Sequence, residues 1–156
     1  MTYLTEDIQK ILLKSLGTVK KSSELAFLLD DLRASTFVKG ADTKVLVEKV
    51  SHFSQDLKNL ISGLSGDSLR DVSDEVREFL KSTDIIKVEM SYLPSADFSA
   101  GLYEIFLSLG YNNFLFDFSI SEDVGTGARF YYKGNFLNVS MFDLIKEKLD
   151  SLNLEI

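Results

Sequence analysis

The chain has 156 residues, of which 45% are hydrophobic, so it can bury a core and is too apolar for intrinsic disorder. It contains no cysteine and one histidine, His52, which excludes disulfides, cysteine-based zinc sites and a histidine-rich metal centre within one chain. The net charge of −7 argues against nucleic-acid binding, which needs clustered Lys and Arg to neutralise phosphates.

The first half of the sequence predicts a bundle of four or five helices. From Thr5 to about Ser82, apolar residues recur at spacings of three and four, as on one face of a helix. Asp42 can accept the first free amide hydrogens of a helix, and glycines are natural helix ends. The predicted helices are one from Thr5 to Gly17, one from Ser22 or Ser23 through Leu32, a long one from Asp42 to Gly63, and one carrying Leu69 to Leu80.

After Thr83 the apolar period changes from helical to alternating, which is typical of half-buried strands. This change predicts a helical domain over residues 1–83 and a small α/β domain over residues 84–156. The predicted order is β-α-β-β-β-α, and the fold class is α+β overall. The elements are a strand with Ile86 to Tyr92, a helix capped by Ser95 and closed by Gly110, a strand over Phe114 to Ile120, a strand over Ala128 to Tyr132, a hairpin at Lys133-Gly134-Asn135, a short strand over Phe136 to Val139, and a last helix capped by Ser140.

Three short elements near the end of the chain carry a resemblance to a known family. They are Gly125-Thr126-Gly127, the hairpin Lys133-Gly134, and Asn138-Val139-Ser140 before the last predicted helix. Together with the element order from Asp84 to Leu152, they resemble the carboxyl-terminal domain of the ATP synthase delta subunit family, called the oligomycin-sensitivity-conferring protein in mitochondria. In that family a pair of glycines, a hairpin glycine and an Asp-Gly-Ser element take these places.

The resemblance implies a non-catalytic connector subunit of a rotary ATP synthase, the membrane complex of proton transport. In that family the helical domain binds amino-terminal helices of the catalytic head, and the carboxyl-terminal domain holds the ends of the peripheral stalk helices. We therefore expect protein–protein interaction on the cytoplasmic side, peripheral to the membrane complex. The family also implies no catalytic residue, no cofactor and no metal.

Two sets of residues are candidates for partner binding. Four leucines on amphipathic helices could form groove walls for a partner helix, although the same pattern describes residues that pack inward. These leucines are Leu12, Leu16, Leu28 and Leu32. On the last predicted helix, Asp143, Glu147 and Asp150 share one side and could attract a basic stalk segment, or simply form a solvated face. A solvated face is the commoner case for any one such residue, and the set is a candidate because residues 84–156 carry 11 acidic and 5 basic side chains.

Other signals predict no chemistry. The segment Gly125-Thr126-Gly127 lacks the Lys-Ser or Lys-Thr ending of a nucleotide-binding loop and is better explained as a turn. His52, beside Asp56 on a predicted helix, is typical of a structural histidine. The amino terminus has no pattern of a signal or transit peptide, and no apolar window reaches the roughly 20 residues that cross a bilayer, so we expect no direct membrane insertion.

Two alternatives remain open at this level. A stator-like regulator of a secretion or flagellar ATPase would have a broadly similar second half, together with a long helical stem. A small-molecule-binding or enzymatic α+β domain would instead use the phenylalanine-rich strand as a pocket, lined by Phe114, Phe116 and Phe118.

Overall fold

The computed structural model describes residues 3–38, 42–64 and 66–140. It is an α+β fold in which the helices come first and the strands follow, as predicted. The helices are α1 Glu6–Leu16, α2 Val19–Ser35, α3 Thr43–Val50, α4 Gln55–Ile61, α5 Gly66–Ser82 and α6 Ala96–Ser108, and the strands are β1 Asp84–Met90, β2 Phe114–Ile120, β3 Gly127–Tyr132 and β4 Asn135–Ser140. The predicted order β-α-β-β-β is confirmed, and the predicted last helix lies outside the described residues.

The first two helices are joined by a very short turn. Helix α1 ends at Gly17, whose φ of +65° is the left-handed conformation that glycine adopts at little cost. Helix α2 then begins at Val19, three or four residues before the predicted start, because the Thr18 hydroxyl accepts the Lys21 amide at 3.3 Å. Only Gly17 and Thr18 separate the helices, so α2 is a full turn longer than predicted.

The prediction of one long third helix is wrong, because the segment from Asp42 to Gly63 forms two helices, α3 and α4. The break falls where serine side chains compete with the helical backbone. The Ser51 hydroxyl donates to the Glu48 carbonyl at 2.6 Å, and the buried Ser54 hydroxyl accepts the Leu57 amide at 3.2 Å, which caps α4. The apolar period continues through the break, so it gives no sign of it.

The four strands form one mixed sheet with the order β2-β1-β3-β4. Strand β1 is parallel to β2 and antiparallel to β3, which pairs in antiparallel fashion with β4. Helix α6 connects the two parallel strands and packs on one face of the sheet, which we call the α6 face; Phe114 and Phe116 of β2 lie there under Tyr103 and Phe106 of the helix. On the opposite face, helix α2 contacts β2, and Leu115 is buried.

The helices and the sheet share one hydrophobic core. The amide of Phe116 donates to the carbonyl of Gly17 at 3.0 Å, and Thr18 pairs with Phe116 as a parallel bridge. The turn between α1 and α2 therefore extends the sheet at the edge of β2. The predicted domain boundary at residue 83 falls between α5 and β1, but buried contacts cross it and couple the two halves mechanically.

A carboxylate of α5 anchors the amino-terminal segment. Glu75 accepts the amides of Tyr3 and Leu4 at 2.8 and 3.2 Å, and the Leu4 side chain is buried. We expect Glu75→Ala to lower the free energy of unfolding by about 1–3 kcal/mol, because two amides lose a charged acceptor. Urea denaturation measures the change. Glu78→Ala removes an exposed carboxylate of the same helix, which forms an exposed ion pair with Lys81, and is the matched control with no measurable change expected. Equal effects of the two substitutions would contradict this anchoring role.

Tyr103 joins α6 to the sheet through its ring and its hydroxyl. The ring stacks on Phe114 at a centroid distance of 4.5 Å, and the hydroxyl donates to the Phe114 carbonyl at 3.3 Å. Burial, assisted by the charge of Glu104, raises the pKa of Tyr103 to about 12. The folded protein therefore favours the neutral phenol and loses stability as the pH rises from about 10 towards that value.

We expect Tyr103→Phe to reduce this alkaline loss of stability. At neutral pH the variant lacks one hydrogen bond and is less stable by about 0.5–1.5 kcal/mol. Urea denaturation at about pH 8 and about pH 11 gives the comparison, and the decrease between the two should be smaller in the variant than in the unmodified chain. An identical decrease in both proteins would show that the ionisation of Tyr103 is not linked to folding.

Candidate partner-binding surfaces

The glycines that carry the family resemblance lie in two tight turns. Gly125 has φ +61° and Gly127 φ +148°, which are backbone conformations that other residues rarely adopt. In the hairpin between β3 and β4, Lys133 and Gly134 have φ values of +47° and +81°, as in the two-residue turn that matches strand twist. These residues shape the backbone, in agreement with their interpretation as turns.

The other two residues of the resemblance lie in β4. Asn138 pairs with Arg129, and Ser140 pairs with Gly127 at the end of the strand. Strand β4 is therefore longer than the predicted Phe136–Val139 and takes in Ser140. The helix that Ser140 was predicted to cap lies outside the described residues.

An ion pair fixes the hairpin to the start of β1. The carboxylate of Asp84 accepts from the Lys133 ammonium at 2.7 Å and from the Tyr132 hydroxyl at 2.8 Å. These two hydrogen bonds hold the pKa of Asp84 below its ordinary value, and Asp84 raises the pKa of Lys133. The contribution of Asp84 to stability is therefore present at neutral pH and is lost as the pH falls through its lowered pKa.

The structure places the four predicted groove leucines in the interior. Leu12, Leu16, Leu28 and Leu32 are all buried in the core that the helices share with the sheet. Their side chains are not accessible to a partner helix in this structure, which agrees with the interpretation that they pack inward. The predicted acidic set Asp143, Glu147 and Asp150 lies outside the described residues.

An exposed apolar stripe lies on α6 and on its carboxyl-terminal cap, Leu109, and we call it the α6 stripe. Phe98, Ile105 and Leu109 are 47%, 55% and 67% exposed, and the half-buried Leu102 lies between them. The spacings of four, three and four residues place all four on one side of the helix. Tyr103 and Phe106 hold α6 to the sheet from other positions, so the helix is rigid while its apolar stripe stays outside.

Two further features define the surroundings of the α6 stripe. The only charged residues of α6 are acidic, namely Asp97, which is exposed, and Glu104, which pairs with Lys14 of α1 at 2.7 Å. On the same face of the sheet, the β4 residues Leu137 and Val139 are 59% and 39% exposed. The surroundings of the α6 stripe therefore combine exposed apolar side chains with one exposed acidic residue, Asp97, because Lys14 neutralises Glu104.

Sequence reasoning did not identify the α6 stripe as a surface. The sequence predicts one helix that bears Phe98, Leu102, Ile105, Phe106 and Leu109 and that lies on one face of the sheet. The sequence did contain a signal, because Tyr103 and Phe106 make a second side of the same helix apolar. A helix that packs against only the sheet can bury one of these two apolar sides and leaves the other exposed.

Three remaining features of the sequence analysis concern metal sites, an aromatic pocket and membrane insertion. Within residues 3–38, 42–64 and 66–140, no group of three or more His, Asp or Glu side chains is arranged to hold a metal, and His52 is exposed. Phe114 and Phe116 are buried in an aromatic cluster, and Phe116 and the half-buried Phe118 border a cleft of about 250 Å³. None of the helices in these ranges is long and apolar enough to cross a membrane.

Comparison with known proteins does not assign the chain to a family. The sequence matches none of the protein-family models, and no curated protein matches it. The resemblance to the delta subunit family therefore rests on residues 84–152, through the order of their elements and the two glycine turns.

Proposed function

We propose that the protein is a non-catalytic connector of a rotary ATP synthase, which links the catalytic head to the peripheral stalk. The observation that carries the proposal is the α6 stripe, an ordered and exposed row of apolar side chains on a helix fixed to the sheet. Amphipathic partner helices bind such rows through residues at i, i+3, i+4 and i+7. In this proposal the α6 face binds the end of a stalk helix.

The charge of this surface specifies the kind of stalk segment. The exposed Asp97 begins α6, the Glu104 carboxylate is paired with Lys14, and the second half of the sequence has 11 acidic and 5 basic side chains. A stalk helix with an apolar stripe and flanking Lys or Arg residues fits both properties. Electrostatic complementarity of this sort speeds association and suppresses wrong partners more than it adds affinity.

The shared core supports the mechanical part of the proposal. A connector between a head and a stalk must transmit torque without bending between its two attachment points. The hydrogen bond from Phe116 to Gly17 joins the helical half directly to the edge of the sheet, and the buried core is continuous between them. Force applied at α6 therefore reaches the helices through packed side chains, since packed interiors have low compressibility.

Co-purification with the ATPase tests the proposal. The tagged protein is produced in cells that contain the intact complex, and the bound proteins are identified after mild solubilisation. We expect head and stalk subunits in the eluate, and their loss when the tag is on an unrelated protein of similar charge. Recovery of neither subunit from a preparation that retains the assembled complex would refute the proposal.

A further inference from the structure

Helix α6 covers only part of the α6 face, and the part formed by β3 and β4 is open among the described residues. Phe106 of α6 reaches as far as Phe130 of β3, with the ring centroids 5.7 Å apart. Leu137 is paired with Phe130 and Val139 with Ala128, so the four side chains lie on the same face of the sheet. We call these four residues the β3–β4 floor. Leu137 and Val139 are 59% and 39% exposed there.

The alternation of side chains along β4 indicates that this floor is meant to be buried. Leu137 and Val139 project from the α6 face, and Phe136 and Asn138 project from the other face. A strand with one face in water normally turns its polar side chains to that face. Strand β4 turns Asn138 away from the α6 face and presents Leu137 and Val139 on it.

The α6 stripe forms a side wall of the floor. Glu104 pairs with Lys14 of α1 on one side of α6, whereas Phe106 reaches β3 on the other. At 3.6 residues per turn, Leu102 lies about 40° around the helix from Phe106, and Ile105 lies about 100° from it. The stripe therefore begins on the side of α6 that faces the floor and continues to the outer side of the helix. The floor and the wall together make an apolar corner.

The sequence that follows β4 has the pattern of a segment that fits this corner. Residues 141–156 come directly after β4, and their apolar positions recur at spacings of three, four and three, which places them on one side of a helix. These positions are Phe142, Ile145, Leu149 and Leu152. The acidic residues Asp143, Glu147 and Asp150 fall on the opposite side, as required of a helix with one face in water.

The direction and the length of the chain also place this segment at the floor. Strand β4 runs parallel to β1, because both are antiparallel to β3, so it ends at the edge of the sheet where the chain passes from β1 to α6. A helix that returns over the floor would lie beside α6 and run in the same direction. Residues 141–156 would span about 24 Å as a helix, and the six residues of β4 span about 20 Å, so one pass covers the floor.

We propose that residues 141–156 dock as an amphipathic helix on the β3–β4 floor, with their apolar side against Leu137, Val139 and the α6 wall. The segment is tethered to β4, and its effective concentration at the floor is therefore of millimolar order, which favours it over a separate chain. Ile105 lies on the outer side of α6 and stays accessible beside the docked segment. The inference thus leaves room for a stalk helix and does not depend on the ATPase assignment.

The reactivity of single cysteines tests the docking in the purified full chain, which contains no cysteine of its own. Leu137→Cys and Phe136→Cys place thiols on opposite faces of β4, at positions 59% and 56% exposed among the described residues. We expect Leu137→Cys to react with a maleimide about tenfold more slowly, because a covered thiol reacts only when the segment opens. Equal rates would overturn the inference. Protection that grows with protein concentration would also overturn it, because it would identify a second copy as the occupant.

Substitutions in the segment identify what protects the thiol. Ile145→Asp with Leu149→Asp puts two carboxylates on the apolar side, which cannot be buried without partners, and the rate of Leu137→Cys should rise to that of Phe136→Cys. Glu147→Ala with Asp150→Ala changes the opposite side and should leave the protection intact. Circular dichroism shows that each variant is folded. Protection that survives the first pair of substitutions, or that is lost equally in the control pair, would contradict docking through the apolar side.

Discussion

Phe116→Ala is expected to lower the free energy of unfolding by about 3–5 kcal/mol, because it leaves a cavity at the centre of the core. The Phe116 ring is fully buried and contacts the rings of Tyr103, Phe106, Phe114 and Phe118. The Phe116 amide also donates to the Gly17 carbonyl in the turn between α1 and α2. The cavity therefore opens where the helical half meets the sheet. Such a loss is a large fraction of the stability of a domain of this size.

The same variant shows whether the two halves unfold together. Circular dichroism follows mainly the helices, five of which lie before residue 83, and tyrosine fluorescence follows mainly the second half of the chain, which holds five of the six tyrosines. We expect both probes to report one transition that moves to lower urea concentration by the same amount. Phe27→Ala, at a position 72% exposed on α2, is the control, with an expected change within about 0.5 kcal/mol. Separate transitions for helices and sheet would contradict the shared core.

Ile105→Asp combined with Leu109→Asp is expected to weaken association with the stalk about 100-fold, with little change in the stability of the isolated chain. Both side chains are more than half exposed, so the carboxylates remain in water until a partner covers them. Binding would then bury two charges without partners, which costs several kcal/mol. The amount of stalk subunit that co-purifies with each variant measures the effect.

Phe27→Asp provides the control for this substitution. It introduces the same charge at an exposed aromatic residue of α2, away from the α6 stripe, and we expect stalk association to remain as in the unmodified protein. Loss of binding in this control would indicate a general effect of charge. Unchanged binding in the α6 variant would show that the α6 stripe is not the attachment point.

Periodicity predicted the fold well where the pattern and the end signals agreed. Helix α1, strand β2 and the helix capped by Ser95 match the structure because caps, turns and apolar spacing all point to the same boundaries. The break between α3 and α4 was missed because its cause lies in the hydroxyls of Ser51 and Ser54, not in the apolar spacing. The early start of α2 was missed for a similar reason, since Thr18 caps it only two residues after α1.

The surfaces were harder to predict than the elements. An amphipathic stripe shows that one side of a helix meets apolar groups, but it does not say whether those groups belong to the same chain. Leu12 and Leu32 are buried within the chain, whereas Ile105 and Leu109 are exposed at similar spacing. Clefts on the surface are formed by residues that are far apart in the sequence, such as Val19 and Ile85, and so only the folded chain reveals them.

Photo-cross-linking in the intact complex tests the connector proposal most directly. A benzophenone side chain placed at Ile105 samples whatever covers the α6 stripe in the cell that makes this protein, and mass spectrometry identifies the cross-linked peptide. The account predicts cross-links to a basic amphipathic helix of a stalk subunit of the rotary ATPase. Cross-links only to proteins outside that complex, or none while the protein remains bound to the ATPase, would contradict it.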